Sequence, residues 1–391
     1  MVIRSGFRSM ATLTATAAIG LCCLAPTPDS SASAPPSGPA PGEQVSLRPG
    51  APALPAEVSA LSYVVADART GNVLAARDAH RKLPPASTLK TLFAVTALPH
   101  LRAEDRHTVS EQDLAGIGPG SSLVGVEPGH TYQISDLWRG VFLSSGNDAV
   151  HVLASLNGGW DQTAAQMQAK ARALGALDTE VVSPDGYDSP GQVSSAFDLA
   201  VFGRAGLARP DFAEYCSTAS AQFPGGGGSY GIANTNRLLS GNDGVARYPG
   251  IVGVKNGYTS NAGNTLIAAA KQGDHTLLVT VMNPQAGGGY AVYEEARTLL
   301  DWGFKAWGHV DAVGSLEPVR VKKAVQRPAS QHNPAPAAAV GTAAAEDEDT
   351  PVWTPAGSAA AGLALAATLF LLLRRRAIRG RATRGRRHPS E

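Results

Sequence analysis

Cysteine is nearly absent from this chain: Cys22 and Cys23 lie in the first 25 residues, and only Cys216 lies in the body. A lone thiol has no internal partner, which excludes a disulfide framework and leaves packing to hold the fold. Cys216 also lacks a sequence neighbour that would activate it as a nucleophile, so a core position is expected. His80, His100, His107 and His130 show no metal-ligand spacing, and neither a metal nor a cofactor is expected. The glycine run Gly225 to Gly228 lacks a following Lys-Ser or Lys-Thr, which excludes a phosphate loop and reads as a flexible one. Internal repeats are missing too. Charged residues make up 17% of the chain and its formal charge is +1. The first 25 residues carry +2 and the tail from Arg374 carries +7, which leaves −8 on the body between them. Basic residues in that body are scattered among acids, which excludes a nucleic-acid partner.

What is present begins with the two ends. Arg4 and Arg8 precede the apolar stretch "MATLTATAAIGLCCLA", an export signal over residues 1–34 whose cleavage point the composition leaves open. Residues 35–56 are rich in Pro, Ser and Ala and read as a linker. A second linker, 314–352, is too poor in large apolar side chains to pack. Residues 353–373 follow as an expected transmembrane helix: Ala356 to Leu373 is 18 residues without a charge, about 27 Å as a helix. Arg374, Arg375 and Arg376 stand directly after it, which places the Arg-rich tail 374–391 in the cytoplasm and the body outside. The expectation is a single-pass protein of the cell membrane with an extracytoplasmic body. The tether before the anchor, some 35 to 40 residues, would span about 35 Å as a soft coil.

The globular part, residues 57–313, combines two patterns. "LSYVVADARTGNVLAARD" alternates on both sides of a polar turn and reads as a β-hairpin. Ser87 to Leu98 is helical, preceded by prolines and ended by Pro99. The middle carries apolar residues at three- and four-residue intervals, and three strands and an amphipathic helix close the domain. The expected class is α+β: an antiparallel five-stranded sheet flanked by helices, with an inserted, mainly helical lobe.

The chemistry centres on "PPASTLKTL". Ser87 and Lys90, at i and i+3, share one helical face. A lysine screened from water near a helix N-terminus titrates below its free value, and a neutral amine beside a hydroxyl is a base beside a nucleophile. Ser-x-x-Lys alone usually means a capping serine and a solvated lysine. Two further pieces stand with it: "SSGNDAV", with Ser145 and Asn147 between two helical stretches, and "GVKNGYTS", with Lys255, Asn256 and Gly257 on a strand. Asp185 and Asp188 in "SPDGYDSPG" read as turn chemistry. Trp302 and Trp307 read as core.

In this order the three motifs resemble those of penicillin-binding proteins and serine β-lactamases. Residues 61–307, including "VVSPDGYDSPGQVSSAFDLA", "GIANTNRLL" and "GVKNGYTSNAGNTLIAAA", are similar to the D-alanyl-D-alanine carboxypeptidases of the low-molecular-mass penicillin-binding type. That resemblance implies a β-lactamase/transpeptidase-like fold and two kinds of partner: peptidoglycan stem peptides ending in D-Ala-D-Ala, and β-lactams. It implies that Ser87 is the nucleophile, Lys90 its base and Ser145 the proton relay to the departing D-alanine. Asn147 would orient the substrate amide and Lys90. Lys255 would supply positive charge for the substrate carboxylate and for Ser145, with Asn256, Gly257, Tyr258 and Thr259 binding substrate. The backbone N–H groups of Ser87 and Tyr258 would form the oxyanion hole.

One departure stands out. The family has a small hydroxyl residue where this chain has Asn256, which implies altered substrate or β-lactam preference. Two other readings remain: a β-lactamase of the same fold, although no Glu-x-x-Leu-Asn is present, and a catalytically weak peptidoglycan-binding sensor.

Overall fold

The computed structural model describes residues 42–318. The leader, the transmembrane expectation for 353–373 and the tail lie outside them, as does nearly all of the second linker. Among the described residues no helix is long and apolar enough to cross a membrane.

The opening hairpin forms as its alternation dictates. Strands β2 (Ala60–Asp67) and β3 (Asn72–Arg77) pair antiparallel. The turn is closed by the Asp67 carboxylate, which accepts the Arg69 N–H at 2.8 Å and the Thr70 hydroxyl at 2.8 Å. Gly71 completes it at φ +79°, a conformation that a β-carbon disfavours. Along β2, Val64 and Ala66 enter one core while Tyr63 and Val65 enter another. Successive side chains alternate across the sheet, so a strand covered on both faces is apolar throughout.

The sheet is completed from the other end of the domain by β8 (Ile251–Thr259), β9 (Gly263–Gln272) and β10 (His275–Pro284). The chain between carries the helical lobe: α1 (Lys90–Ala97), α2 (Ile134–Leu143), α3 (Asn147–Leu156), α4 (Trp160–Ala173), α5 (Ala196–Leu207), α6 (Pro210–Ser217) and the short α7 (Arg237–Ser240). The closing helix α8 (Ala291–Ala306) covers the opposite face with Val292, Ala296, Leu299, Leu300 and Gly303, a helical repeat. A β-carbon on Gly303 would lie 2.7 Å from Leu277, and one on Gly203 of α5 would lie 2.8 Å from Ile267. Each helix therefore presses on the sheet through a glycine.

The sheet is larger than the expected five strands. β1 (Glu43–Leu47), β11 (Val310–Asp311) and β12 (Gly314–Ser315) extend it to eight, in the order β11-β1-β3-β2-β10-β9-β8, with β12 also on β3. This corrects two boundaries. Residues 43–47, expected within the 35–56 linker, form a strand whose first three residues pair with β3 and whose last two pair with β11, and Glu43 is tied to Arg77 and to the Tyr63 hydroxyl. Residues 314–315, expected within the second linker, also pair with β3. Backbone pairing to a distant strand leaves no trace in local composition. The glycine run, expected as a flexible loop, is the tip of a hairpin between β6 (Ser220–Gly225) and β7 (Gly228–Ala233). A small ribbon of β4 (Arg106–Thr108) and β5 (Thr131–Gln133) completes the helical lobe.

Candidate active site

Ser87 lies in a 3-10 turn, Ala86–Leu89, that runs directly into α1. Five non-glycine residues among those described have positive φ; three are Asp or Asn, which tolerate it, and the others are Ala86 (+50°) and Ser145 (+57°). Backbone strain of this kind persists where the surroundings enforce it, commonly at functional sites. The side chain of Lys90 is buried, and its Nζ lies 2.7 Å from Ser87 Oγ and 2.7 Å from the Asp185 carbonyl oxygen. Burial lowers its pKa to about 8, against the opposing charges of Asp185 and Asp148. The loop carrying Asp185 fits closely. Its carboxylate accepts the Ser183 hydroxyl and the Tyr187 N–H, and a β-carbon on Gly186 would lie 2.1 Å from the Ala86 carbonyl oxygen.

The second wall is the turn between α2 and α3. Asn147 donates through Nδ2 to Ser121 Oγ at 3.0 Å, and its N–H donates to the Ser122 carbonyl at 2.7 Å. Asp148 beside it is buried and accepts the N–H groups of Val124, Gly125 and Val126 at 2.7 to 3.0 Å, which pins the 121–126 segment against α3. Ser145 Oγ and Asn147 Oδ1 are buried and have no hydrogen-bond partner. An unsatisfied buried oxygen costs about 1–3 kcal/mol, and such atoms mark places where a ligand completes the bonding.

Strand β8 is the third wall. Lys255 is buried and donates to the Asn256 carbonyl at 2.8 Å. Burial, then repulsion from Lys90, moves its pKa well below the ordinary lysine value. A β-carbon on Gly257 would lie 2.7 Å from the Ser87 nitrogen, so only glycine lets the strand pass this close. Asn256 accepts the Thr235 hydroxyl at 2.9 Å. Tyr258 is exposed, and Thr259 donates to Asp188 at 2.7 Å.

Ser87, Asn147, Tyr258 and Thr259 thus line one cavity of about 230 Å³, with Ser121, Gly186 and Asp188. Lys90 bonds Ser87 at its floor, and Gly257 closes the strand side. Lys255 meets the Asn256 carbonyl and makes no hydrogen bond to Ser145. A larger hollow of about 530 Å³ lies behind the Asp185 loop, beside His151 and Trp160, and the candidate nucleophile does not line it. Asp185 does serve its turn, as expected; its carbonyl contact to Lys90 was not foreseen. Sequence reasoning also missed Asp148, Ser121 and Thr235. Thr235 lies in "NTNR", whose run of polar residues ahead of "LL" was the available signal. Cys216 is a core thiol, its pKa pushed up to about 12 by burial.

The family described as D-alanyl-D-alanine carboxypeptidase matches this chain over residues 49–286. D-alanyl-D-alanine carboxypeptidase DacB2 of Mycobacterium tuberculosis is 42% identical over 260 residues, 66% of this chain and 86% of its own length. D-alanyl-D-alanine carboxypeptidase DacD of Salmonella typhimurium is 35% identical over 286 residues, 70% of this chain and 69% of its own. A crystal structure of D-alanyl-D-alanine carboxypeptidase from M. tuberculosis superposes with a TM-score of 0.62 at 39% identity, covering 69% of this chain and 99% of the other. Penicillin binding protein 6B from Escherichia coli superposes at 0.58 with 35% identity, covering 66% and 80%. With its serine, two buried lysines and glycine-bearing strand inside the matched span, the chain belongs to the D-alanyl-D-alanine carboxypeptidase family of serine peptidases.

Proposed function

We propose that this protein is a serine-type D-alanyl-D-alanine carboxypeptidase that removes the terminal D-alanine from peptidoglycan stem pentapeptides through an acyl-serine, and that penicillins acylate the same serine. The observation that carries the reading is the 2.7 Å contact between Ser87 Oγ and an Nζ whose burial moves it towards the neutral amine.

The terminal carboxylate of the substrate enters beside Lys255 and the Asn256 amide. Lys90, whose burial favours the neutral amine, takes the Ser87 hydroxyl proton as Oγ bonds to the carbonyl carbon. The oxyanion is met by the N–H groups of Ser87 and Tyr258, each donor worth about 3 kcal/mol of barrier. Asn147 orients the substrate amide. Collapse breaks the C–N bond, and Ser145 passes a proton to the departing amine and is reprotonated from Lys90. Water then attacks the ester, and Ser87 recovers its proton. The extended peptide lies along the outer edge of β8, the last strand of the sheet. Asn256 in place of a hydroxyl residue displaces the substrate carboxylate relative to other family members.

The export signal, the uncharged run 356–373 and the arginines after it support a membrane-anchored enzyme with its catalytic domain outside the cell. The functional test is mass spectrometry of diacetyl-L-lysyl-D-Ala-D-Ala incubated with the purified protein. Release of one D-alanine, lost in Ser87→Ala, is expected. An intact peptide with a well-folded protein would refute the reading.

A further inference from the structure

The site is electrically lopsided about Ser87. On one side is Lys255, while Arg237, in the hollow past Tyr258, is already paired with Asp243 at 2.8 Å. On the other side, the 230 Å³ cavity is walled by hydroxyls, glycine backbone and the Asn147 amide, and Asp188 is its one charged side chain. Asp188 is half-buried. It accepts the Thr259 hydroxyl at 2.7 Å and the Asn261 N–H at 3.2 Å. Both partners are neutral, so they fix the carboxylate in place and leave its charge uncompensated towards the cavity.

Register follows from the strand. A peptide lying antiparallel along β8, its terminal carboxylate towards Lys255 and Asn256, sets the scissile carbonyl beside Ser87 and Tyr258. The next residue towards its N-terminus then lies about 3.4 Å further along, beside Thr259. That is where Asp188 is held. We infer that Asp188 pairs with a side-chain ammonium on the residue immediately before the D-Ala-D-Ala pair, and so favours stem peptides whose amine is free over those in which it is acylated. This deepens the carboxypeptidase reading and rests on it. Asp188 acts as a specificity-determining residue and takes no proton.

The test compares the full-length protein in detergent on two peptides, Nα-acetyl-L-lysyl-D-Ala-D-Ala and its Nε-acetylated form. The wild type is expected to show a kcat/KM for the free amine higher by roughly threefold to tenfold, the effect of a partly desolvated ion pair, shrinking as salt is added. The ratio falls to about 1 in Asp188→Asn, is largely kept in Asp188→Glu and inverts in Asp188→Lys. Labelling by a fluorescent penicillin checks that each variant is folded. A matching pair of peptides with a carboxylate beside the amine separates the two sources of such an ammonium: each free amine should exceed its acetylated form, and the faster one identifies the source. A wild-type ratio at or below 1, or one that Asp188→Asn leaves unchanged, overturns the inference alone. Failure to cleave either peptide overturns the carboxypeptidase reading and the inference with it.

Discussion

Lys90 and Lys255 are each 1% exposed, and burial opposes the charge on both. For Lys90 the folded-state pKa is about 8, against 10.5 for the ordinary group. Below pH 8 both folded and unfolded chains hold the proton, and the folded state bears the whole penalty. Between 8 and 10.5 the unfolded chain binds more protons, so stability rises with pH, by about 3 kcal/mol over the window. Lys90→Met is therefore expected to raise stability at pH 7 by roughly 1–3 kcal/mol, to flatten that rise and to abolish penicillin labelling. Urea melts at several pH values check this, and a variant less stable at pH 7 with the slope intact would contradict it. Asn256→Thr shortens the side chain that meets Thr235. The ratio of penicillin acylation to peptide hydrolysis should shift by roughly threefold or more, by analogy with a lost polar contact; unchanged rates for both would remove any special role for the asparagine. At this scale Ser87 and Lys90 were legible because an i, i+3 pair is local. The Asp185 carbonyl was not, since every residue has a carbonyl and only the fold brings this one to Lys90.

Among elements, β8 and the 3-10 turn at Ser87 decide the site together. Thr265 on β9 donates to the Pro85 carbonyl at 3.0 Å, tying the turn to the strand next to β8. Gly257→Ala would push a methyl group to 2.7 Å from the Ser87 nitrogen. Strand and turn must part, and the oxyanion donors part with them. Acylation should slow by roughly 10²–10³ while the circular dichroism spectrum is kept, and stopped-flow with a chromogenic cephalosporin measures it; a rate within threefold of wild type would contradict the geometry. The strands that bury both faces, β2, β9 and β10, and the periodic α8 were readable from their patterns. β1, β11 and β12 were not. They are short, lie at the sheet margin, and owe their form to bonds such as Val45 with Ala75 and Gly314 with Val73, which join residues remote in sequence. The β6–β7 hairpin escaped for a different reason: glycine at its tip favours a turn as readily as a mobile loop.

For the molecule as a whole, the first and last strands of the catalytic domain share one sheet, and the helical lobe inserted between them supplies the second wall of the cleft. Glu295 on α8 reinforces this closure by accepting the N–H groups of Ser59 and Ala60, each at 3.0 Å. If the proposed anchor holds the protein, a stop before Pro351, which leaves every strand of the sheet margin up to Ser315 intact, should release active protein to the soluble fraction with penicillin labelling within about twofold of the full chain. Labelled, truncated protein that still sediments with membranes would contradict the proposed anchor. The central claim, an amine-activated Ser87, is tested most directly by peptide mapping of the full-length protein after benzylpenicillin. The account predicts one penicilloyl group, on the peptide containing Ser87, absent from Lys90→Met. A modification elsewhere, or full labelling without Lys90, would contradict it.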